Sequence, residues 1–202
     1  MSGAQSTPKA GSKISNAHND SIWSLCWLDS NILVSGSLDG SMRVWETNGV
    51  DIEKPVVMTS KQRVGVTSMV STRAGNVIGC YQDSMIRFYK YENESNKMDL
   101  SEEDGNNSQG TEDSNNKILK EEHVLDAGMH EAWSIAIDST ESIIAGGTQS
   151  GNINMWNTST YEKTDTIEDA GSFVLAVQFN HAIDASHICA ANIEGVVTIF
   201  DV

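Results

Sequence analysis

The stretch LVSGSLDGSMRVWE, residues 33–46, decides the fold of this chain. It combines an apolar strand, an acidic turn that ends in glycine, and a second strand that closes on an aromatic residue. The same shape returns as VIGCYQDSMIRFYK (77–90), IIAGGTQSGNINMWN (143–157) and ICAANIEGVVTIFDV (188–202). The closing aromatics are Trp45, Tyr89, Trp156 and Phe200, at spacings of 44, 67 and 44 residues, so the middle spacing is one period plus an insertion of 23. A fixed period of this length is typical of repeat architectures.

A further alternating segment precedes each repeat. These segments are SIWSLCW (21–27), GVTSMV (65–70), EAWSIAI (131–137) and FVLAVQF (173–179). Alternation at period two predicts half-buried strands. Short segments at 56–60, 122–128 and 164–171 fit a fourth strand in the first three repeats. The sequence therefore predicts an all-β chain with three complete four-stranded sheets and a fourth sheet that lacks its outer strand.

The repeats resemble the WD-repeat β-propeller family, whose blades are four-stranded sheets of about 40 to 45 residues. In the first repeat Ala17-His18 stands where the family has Gly-His, Asp39-Gly40 forms the tight turn, and Trp45-Glu46 replaces Trp-Asp. The other three repeats keep the phase and lose the histidine. The resemblance implies an incomplete propeller, with about four blades of a seven-bladed parent. We expect a disordered N-terminal tail at 1–15 and a partial propeller at 16–202.

A narrower resemblance covers residues 16–46 and 124–202. The stretches NAHNDSIWSL, SGSLDGSMRVW, DAGMHEAWSIAI, GTQSGNINMWN and GVVTIFDV together look like the WD-repeat subunits of the superkiller (Ski) complex, whose metazoan forms also associate with the Paf transcription-elongation complex. This resemblance implies a non-enzymatic scaffold in messenger-RNA decay, with TPR-type and helicase-type partners, possible Paf-complex partners, and a location in the cytoplasm and nucleus.

Composition narrows the choice of partners. The chain has 13 Lys and Arg against 28 Asp and Glu, a net charge of -15, which repels nucleic-acid phosphates and anionic lipid. Cys26, Cys80 and Cys189 are widely spaced among apolar residues, so we expect reduced core thiols. No apolar run suits a signal peptide or a membrane span. Protein partners remain, with no direct nucleic acid and no membrane.

An acidic insertion follows the second repeat at residues 92–122. It contains ten acidic residues and three lysines, with no aromatic residue and no proline. Such a segment cannot bury enough apolar surface to offset the entropy of ordering, so we expect it to be disordered. It is either a solvated loop or an acidic tether whose Ser101 suits a kinase, and the solvated loop is favoured.

The first repeat holds a set of residues that could be mistaken for a hydrolase triad: Ser35 or Ser37, His18 and Asp39. The sequence has no G-x-S-x-G elbow or oxyanion-loop pattern, which acyl transfer by such a set would require. The family resemblance instead implies a buried structural relay of His18, Ser35, Asp39 and Trp45. The five histidines lack metal-ligand spacing, and no phosphate-cradling loop occurs. We expect no catalytic residue, no metal and no cofactor.

Partner binding is expected on the top face of the propeller, at the mouth of the central channel. Trp23 and Trp133 occupy equivalent positions at the start of the innermost strand. The core positions four residues later are already supplied by Trp27, Ile137 and Phe179, so the two tryptophans are free to bind a partner or to pack against neighbouring blades. The complete predicted site contains Trp23, Trp133, Thr67, Leu175, Leu38 and Gln149.

Two alternatives to the hypothesis of a Ski-complex scaffold stay open. The chain could be a WD-repeat substrate receptor that reads peptides or docks a ubiquitin ligase. It could also be a truncated product, because seven blades at roughly 40 to 45 residues need about 300 residues.

Overall fold

The computed structural model describes residues 13–47, 55–59, 62–93, 117–180 and 187–202. These residues form fifteen strands in four antiparallel sheets. Within the described ranges no helix is long and apolar enough to cross a membrane. We call the sheets blades one to four, in chain order.

Blades one and two each contain four strands in sequential order. Blade one consists of β1 (Ile22–Trp27), β2 (Ile32–Ser37), β3 (Met42–Glu46) and β4 (Val57–Met58). Blade two consists of β5 (Val66–Ser71), β6 (Val77–Tyr81), β7 (Met85–Asn93) and β8 (Lys117–Asp126). In the β2–β3 turn Asp39 Oδ1 accepts the Ser41 N–H at 2.9 Å, and Gly40 has a φ of 84°, which a side chain would strain.

Blade three repeats the pattern and blade four has three strands. Blade three consists of β9 (Ser134–Ile137), β10 (Ile143–Gly147), β11 (Ile153–Asn157) and β12 (Lys163–Ile167). Blade four consists of β13 (Val174–Phe179), β14 (His187–Asn192) and β15 (Val197–Asp201). The predicted fold class is confirmed: the chain is an all-β, incomplete propeller of four blades.

The hydrophobic core lies between the blades, in three separate layers. The layer between blades one and two centres on Val34, Met42 and Tyr81, and the layer between blades two and three on Ile86, Ile144 and Trp156. The third layer, between blades three and four, is built around Ile153, Val174 and Ile188. Each blade therefore depends on the next for burial of its apolar face. We name the end of the molecule with the β2–β3, β6–β7 and β10–β11 turns the top face, and the opposite end the bottom face.

Two expectations need correction. The ends of the predicted disordered insertion, residues 92–93 and 117–122, are strand, because β7 and β8 pair in a long hairpin up to Asn93 and Lys117. Residues 94–116 lie outside the described residues, as do 1–12 of the predicted tail. Trp27 is 53% exposed, whereas its counterparts Ile137 and Phe179 are buried. Trp27 lies on the face that later blades pack against the preceding blade, and no described sheet covers that face of blade one.

Candidate functional site

His18, Ser35, Asp39 and Trp45 are brought into one continuous chain of hydrogen bonds in blade one. Trp45 Nε1 donates to Ser35 Oγ at 2.8 Å, and Ser35 Oγ lies 2.7 Å from His18 Nε2. His18 Nδ1 lies 3.2 Å from Asp39 Oδ2. One proton arrangement satisfies these three contacts: the serine hydroxyl donates to Nε2 of a neutral histidine, and Nδ1–H donates to the carboxylate.

The electrostatics of these groups agree with that arrangement. Burial lowers the pKa of His18 below its ordinary value, although the nearby Asp39 opposes the shift, so the ring is neutral at pH 7. Burial on its own would raise the pKa of Asp39. Hydrogen bonds from the Ser41 hydroxyl and from the backbone N–H groups of Asn19 and Ser41 outweigh it and hold this pKa well below its usual range.

The triad-like geometry is closed to a substrate. Ser35 is 2% exposed and the His18 side chain is fully buried, and the Ser35 oxygen already accepts the indole N–H. A nucleophile must reach the reacting carbonyl, so this serine is placed to hold β2 to β3 and to the segment before β1. Arg43 strengthens the same attachment, because its Nη1 donates to the Ala17 carbonyl at 2.6 Å.

Blade two replaces the relay with a different network. Tyr81 and Tyr89 join through their hydroxyl groups at 2.9 Å, and Arg87 lies over the Tyr81 ring at 4.3 Å. Arg87 also donates to Asp83 Oδ2 at 2.9 Å, and Tyr89 donates to Glu121. Burial raises the pKa of Tyr81 to about 12, so its phenol keeps its proton. The second repeat thus lacks a histidine equivalent to His18, and it has Tyr81 at the position equivalent to Ser37 of the first repeat.

Aromatic side chains meet at the top of the central channel. The rings of Trp23 and Trp133 lie 5.8 Å apart in an edge-to-face arrangement, although they belong to blades one and three. Phe173, just before β13, contacts Trp133 in the same way at 5.1 Å. We call Trp23, Trp133 and Phe173 the channel-mouth cluster. Trp23 is 47% exposed, so a large part of one indole faces solvent.

The other residues of the predicted top-face site are placed as follows. Leu175 is exposed on β13, and Gln149 is exposed in the β10–β11 turn. Leu38 is half-buried, with its side chain against Gly65. Thr67 is buried and donates to the carbonyl oxygens of Trp133 (2.6 Å) and Cys80 (3.2 Å), so it holds the cluster in place from below and offers a partner little surface.

Sequence reasoning missed two apolar residues of this face. The sequence places Phe173 only in the alternating segment that precedes and includes β13, and its position beside Trp133 depends on how blade four packs on blade three. Met129 is 80% exposed in the β8–β9 connection, next to His130, whose carbonyl accepts the Gln149 N–H. The sequence does carry a signal for Met129, because an apolar residue is unusual in a turn between Gly, His and Glu. Ile193, 61% exposed in the β14–β15 turn, adds another exposed apolar side chain to the top face.

Within the described ranges no group of three or more His, Cys, Asp or Glu residues is placed to hold a metal ion. The three cysteines are free thiols. Burial raises the pKa of Cys26 and of Cys80 to about 12, so neither is a ready nucleophile.

Comparison with known proteins agrees with the blade architecture. A family model described as the DDB1- and CUL4-associated factor 12 β-propeller matches residues 12–92. The WD repeat-containing protein VIP3 of Arabidopsis thaliana is 22% identical over 209 residues, covering 94% of this chain and 56% of that protein. The chain is similar to WD-repeat β-propeller proteins over most of its length. WD repeat-containing protein SL1-17 of Schistosoma mansoni is 24% identical, covering 92% of this chain and 54% of that protein.

Solved structures show the same fold at low sequence identity. The β-propeller domain of Myceliophteria thermophila Cps50 (Swd1) superposes with a TM-score of 0.67 at 14% identity, covering 90% of this chain and 54% of that one. The computationally designed Ika4 protein gives a TM-score of 0.64 at 18% identity, covering 96% of this chain and 99% of that one. The chain spans about half the length of the curated relatives it matches.

Proposed function

We propose that this WD-repeat protein is a non-enzymatic interaction subunit whose top face binds a protein partner through the channel-mouth cluster. The observation that carries the proposal is the half-exposed Trp23, held in place by Trp133 and Phe173. Tryptophan is strongly enriched among residues that dominate binding energy, above all where its surroundings are already ordered.

The chemistry of this face favours a peptide with an apolar or aromatic anchor. Leu175, Met129 and Ile193 add exposed apolar surface around the cluster. Gln149 supplies an amide that can hydrogen-bond a backbone. The net charge of -15 acts against a phosphate backbone as the ligand.

For the complex, we propose the Ski messenger-RNA decay assembly, with a second role beside the Paf complex and a location in the cytoplasm and nucleus. The support is the sequence resemblance of residues 16–46 and 124–202. The partners would be the TPR-type and helicase-type subunits of that assembly, and the chain would hold them without acting on RNA itself.

A second candidate is a substrate receptor of a ubiquitin ligase. The match of residues 12–92 to a propeller described as DDB1- and CUL4-associated favours it. That match covers blade one and the first three strands of blade two, and the channel-mouth cluster also draws on blades three and four. The same top face would then hold a peptide of the substrate.

Affinity purification of the tagged chain from its own cells separates the two candidates. The Ski proposal predicts recovery of TPR-type and helicase-type Ski subunits, with Paf subunits in the nuclear fraction. Recovery of DDB1 and CUL4 without those subunits would support the ligase receptor instead. A parallel purification with Trp23→Ala tests the site, because partners held by the top face should be lost.

A further inference from the structure

A cavity lies at the bottom face between blades two and three, far from the channel-mouth cluster. Its volume is about 240 Å³, and its lining includes Phe88, Tyr161, Glu122, Glu141, Thr72 and Thr158. Ligand pockets for drug-sized molecules start at roughly 300 Å³, so this cavity suits a single side chain. All of its lining residues belong to blades two and three and lie within the described ranges.

The aromatic wall of the cavity is held rigidly. The Tyr161 ring stacks on His123, with ring centres 3.5 Å apart and planes 15° apart. Phe88 lies edge-on to Tyr161 at 4.9 Å and to His123 at 5.9 Å. Because these rings are already packed on one another, a cation that contacts them costs little further side-chain entropy, and aromatic rings attract cations.

The backbone around the cavity is unusual in two places. Tyr161 has a φ of 60° and Glu141 a φ of 63°, both in the left-handed region that residues with a Cβ avoid. The surrounding turn retains these conformations: Tyr161 N donates to Asn157 O at 2.9 Å, and the Thr158 hydroxyl donates to Glu141 O at 2.8 Å. Both side chains line the same cavity, and costly conformations of this kind gather at ligand sites.

Two carboxylates supply negative charge. Glu122 lies 3.8 Å from Lys120 Nζ, and Glu141 lies 3.9 Å from Arg73 Nε. One Glu141 oxygen also accepts the Arg73 backbone N–H at 2.6 Å. The Lys120 and Arg73 side chains are 56% and 73% exposed, and exposed pairs at such distances are weak. An incoming cation can therefore compete for both carboxylates.

We propose that this cavity binds an arginine side chain of a protein partner. A guanidinium group is planar, stacks on aromatic rings and offers five donors to carboxylates and hydroxyls, which matches the rings of Phe88 and Tyr161, the two glutamates and the two threonines. The site goes beyond the proposed function: it lies on the opposite face and does not depend on the channel-mouth cluster.

The test is a titration of the whole chain, labelled with ¹⁵N, with the peptide acetyl-Gly-Arg-Gly-amide, followed by NMR. A matched peptide carries citrulline, which keeps the shape of arginine and removes its charge. The arginine peptide should produce saturable shifts at Thr72, Glu141 and Tyr161, and the citrulline peptide should bind at least about tenfold more weakly. Equal binding of the two peptides, saturable shifts confined to other regions, or no saturation by about 10 mM would overturn the proposal.

Variants locate the site. The double variant Glu122→Gln with Glu141→Gln removes both charges with little change of shape, and we expect the arginine peptide to bind at least about fivefold more weakly. Glu162→Gln, an exposed acid in the Tyr161 turn that does not line the cavity, is the matched control and should leave binding unchanged. Trp23→Ala should also leave it unchanged, which separates this site from the top face. Unaltered spectra outside the cavity establish that each variant is folded, and unchanged binding by a folded double variant would refute the assignment.

Discussion

At the scale of single residues, the relay of blade one is a structural device made from groups that elsewhere perform catalysis. His18, Ser35 and Asp39 are the residue types of a hydrolase triad, and the sequence, which lacks a G-x-S-x-G elbow, favours a structural relay over catalysis. The structure adds burial and the indole donor of Trp45. A serine oxygen that is enclosed and already hydrogen-bonded contributes stability.

The first prediction concerns removal of the imidazole. His18→Ala leaves Asp39 and Ser35 without their buried partner and should lower the free energy of unfolding by about 1–3 kcal/mol. Chemical denaturation monitored by tryptophan fluorescence measures this. A His18→Ala protein as stable as the parent would show that the relay does not hold the blade.

The second prediction is acid sensitivity of blade one. The pKa of His18 is lowered in the folded state, so the unfolded chain binds the proton more readily and stability falls as pH drops through the unfolded value of about 6.5. Asp39, whose pKa is also lowered, adds a further loss at lower pH. Between pH 7.5 and 5.5 the parent should lose more stability than His18→Gln, which cannot be protonated. Parallel pH profiles for the two proteins would contradict this.

At the scale of strands and blades, serines on the innermost strands join each blade to the next. Ser24 Oγ on β1 accepts the Met69 N–H of β5 at 2.8 Å, and Ser68 Oγ on β5 accepts the Ile135 N–H of β9 at 3.1 Å. Ser134, at the equivalent position of β9, has a buried hydroxyl oxygen without a hydrogen-bond partner among the described residues. A serine therefore hydrogen-bonds blade one to blade two and blade two to blade three, whereas within the described ranges Ser134 makes no such bond from blade three to blade four.

This difference gives a matched pair of variants. Ser68→Ala leaves a backbone N–H unsatisfied between blades and should destabilise the protein by about 1–3 kcal/mol. Ser134→Ala removes a hydroxyl that already lacks a partner, so its effect on unfolding should be close to zero or slightly stabilising. Equal effects in denaturant titrations would show that the inter-blade bond contributes nothing.

The long hairpin of β7 and β8 supports a prediction about the acidic insertion. The strands stay paired up to Asn93 and Lys117, and Lys117 forms an ion pair with Glu46 of blade one. The described residues on both sides of 94–116 are therefore anchored. Replacing 94–116 by a short Gly-Ser turn should change thermal stability little, since loop length enters the closure entropy only logarithmically. A large fall in melting temperature would show that the insertion packs on the blades.

The sequence predicted the strands and sheets well because the alternation of apolar and polar residues and the closing aromatics are local signals. It identified all four sheets and the equivalence of Trp23 with Trp133. The features it missed depend on packing between distant segments. Phe173 joins the tryptophans only when blade four docks on blade three, and Trp27 is exposed only because no described sheet covers its face. Thr67 faces inward because the Trp133 carbonyl lies within reach of its hydroxyl.

At the scale of the whole molecule, the four described blades expose apolar strand faces at both ends of the row. Leu25 and Trp27 are 60% and 53% exposed on blade one, and Val197 and Ile199 are each 68% exposed on blade four. These faces correspond to those that are buried between blades inside the chain. Apolar patches of this extent mark association surfaces.

We therefore expect the 202-residue chain to associate as its concentration rises. Light scattering coupled to size-exclusion chromatography measures the mass. Leu25→Lys combined with Ile199→Glu should shift the protein towards monomer, while Ser159→Lys on an exposed turn should have no effect. A sharp monomer peak for the unmodified chain at every concentration would count against this view.

The central claim, that the channel-mouth cluster is the partner site, is tested most directly by quantitative recovery of partners with Trp23→Ala. Trp23 is the cleaner of the two tryptophans, because Trp133 also packs between Trp23 and Phe173. Loss of about 2 kcal/mol of binding corresponds to roughly 30-fold weaker affinity. We predict that the tagged variant recovers its protein partners far less than the parent does, while its melting temperature falls only slightly. Undiminished recovery by a folded Trp23→Ala protein would contradict the account.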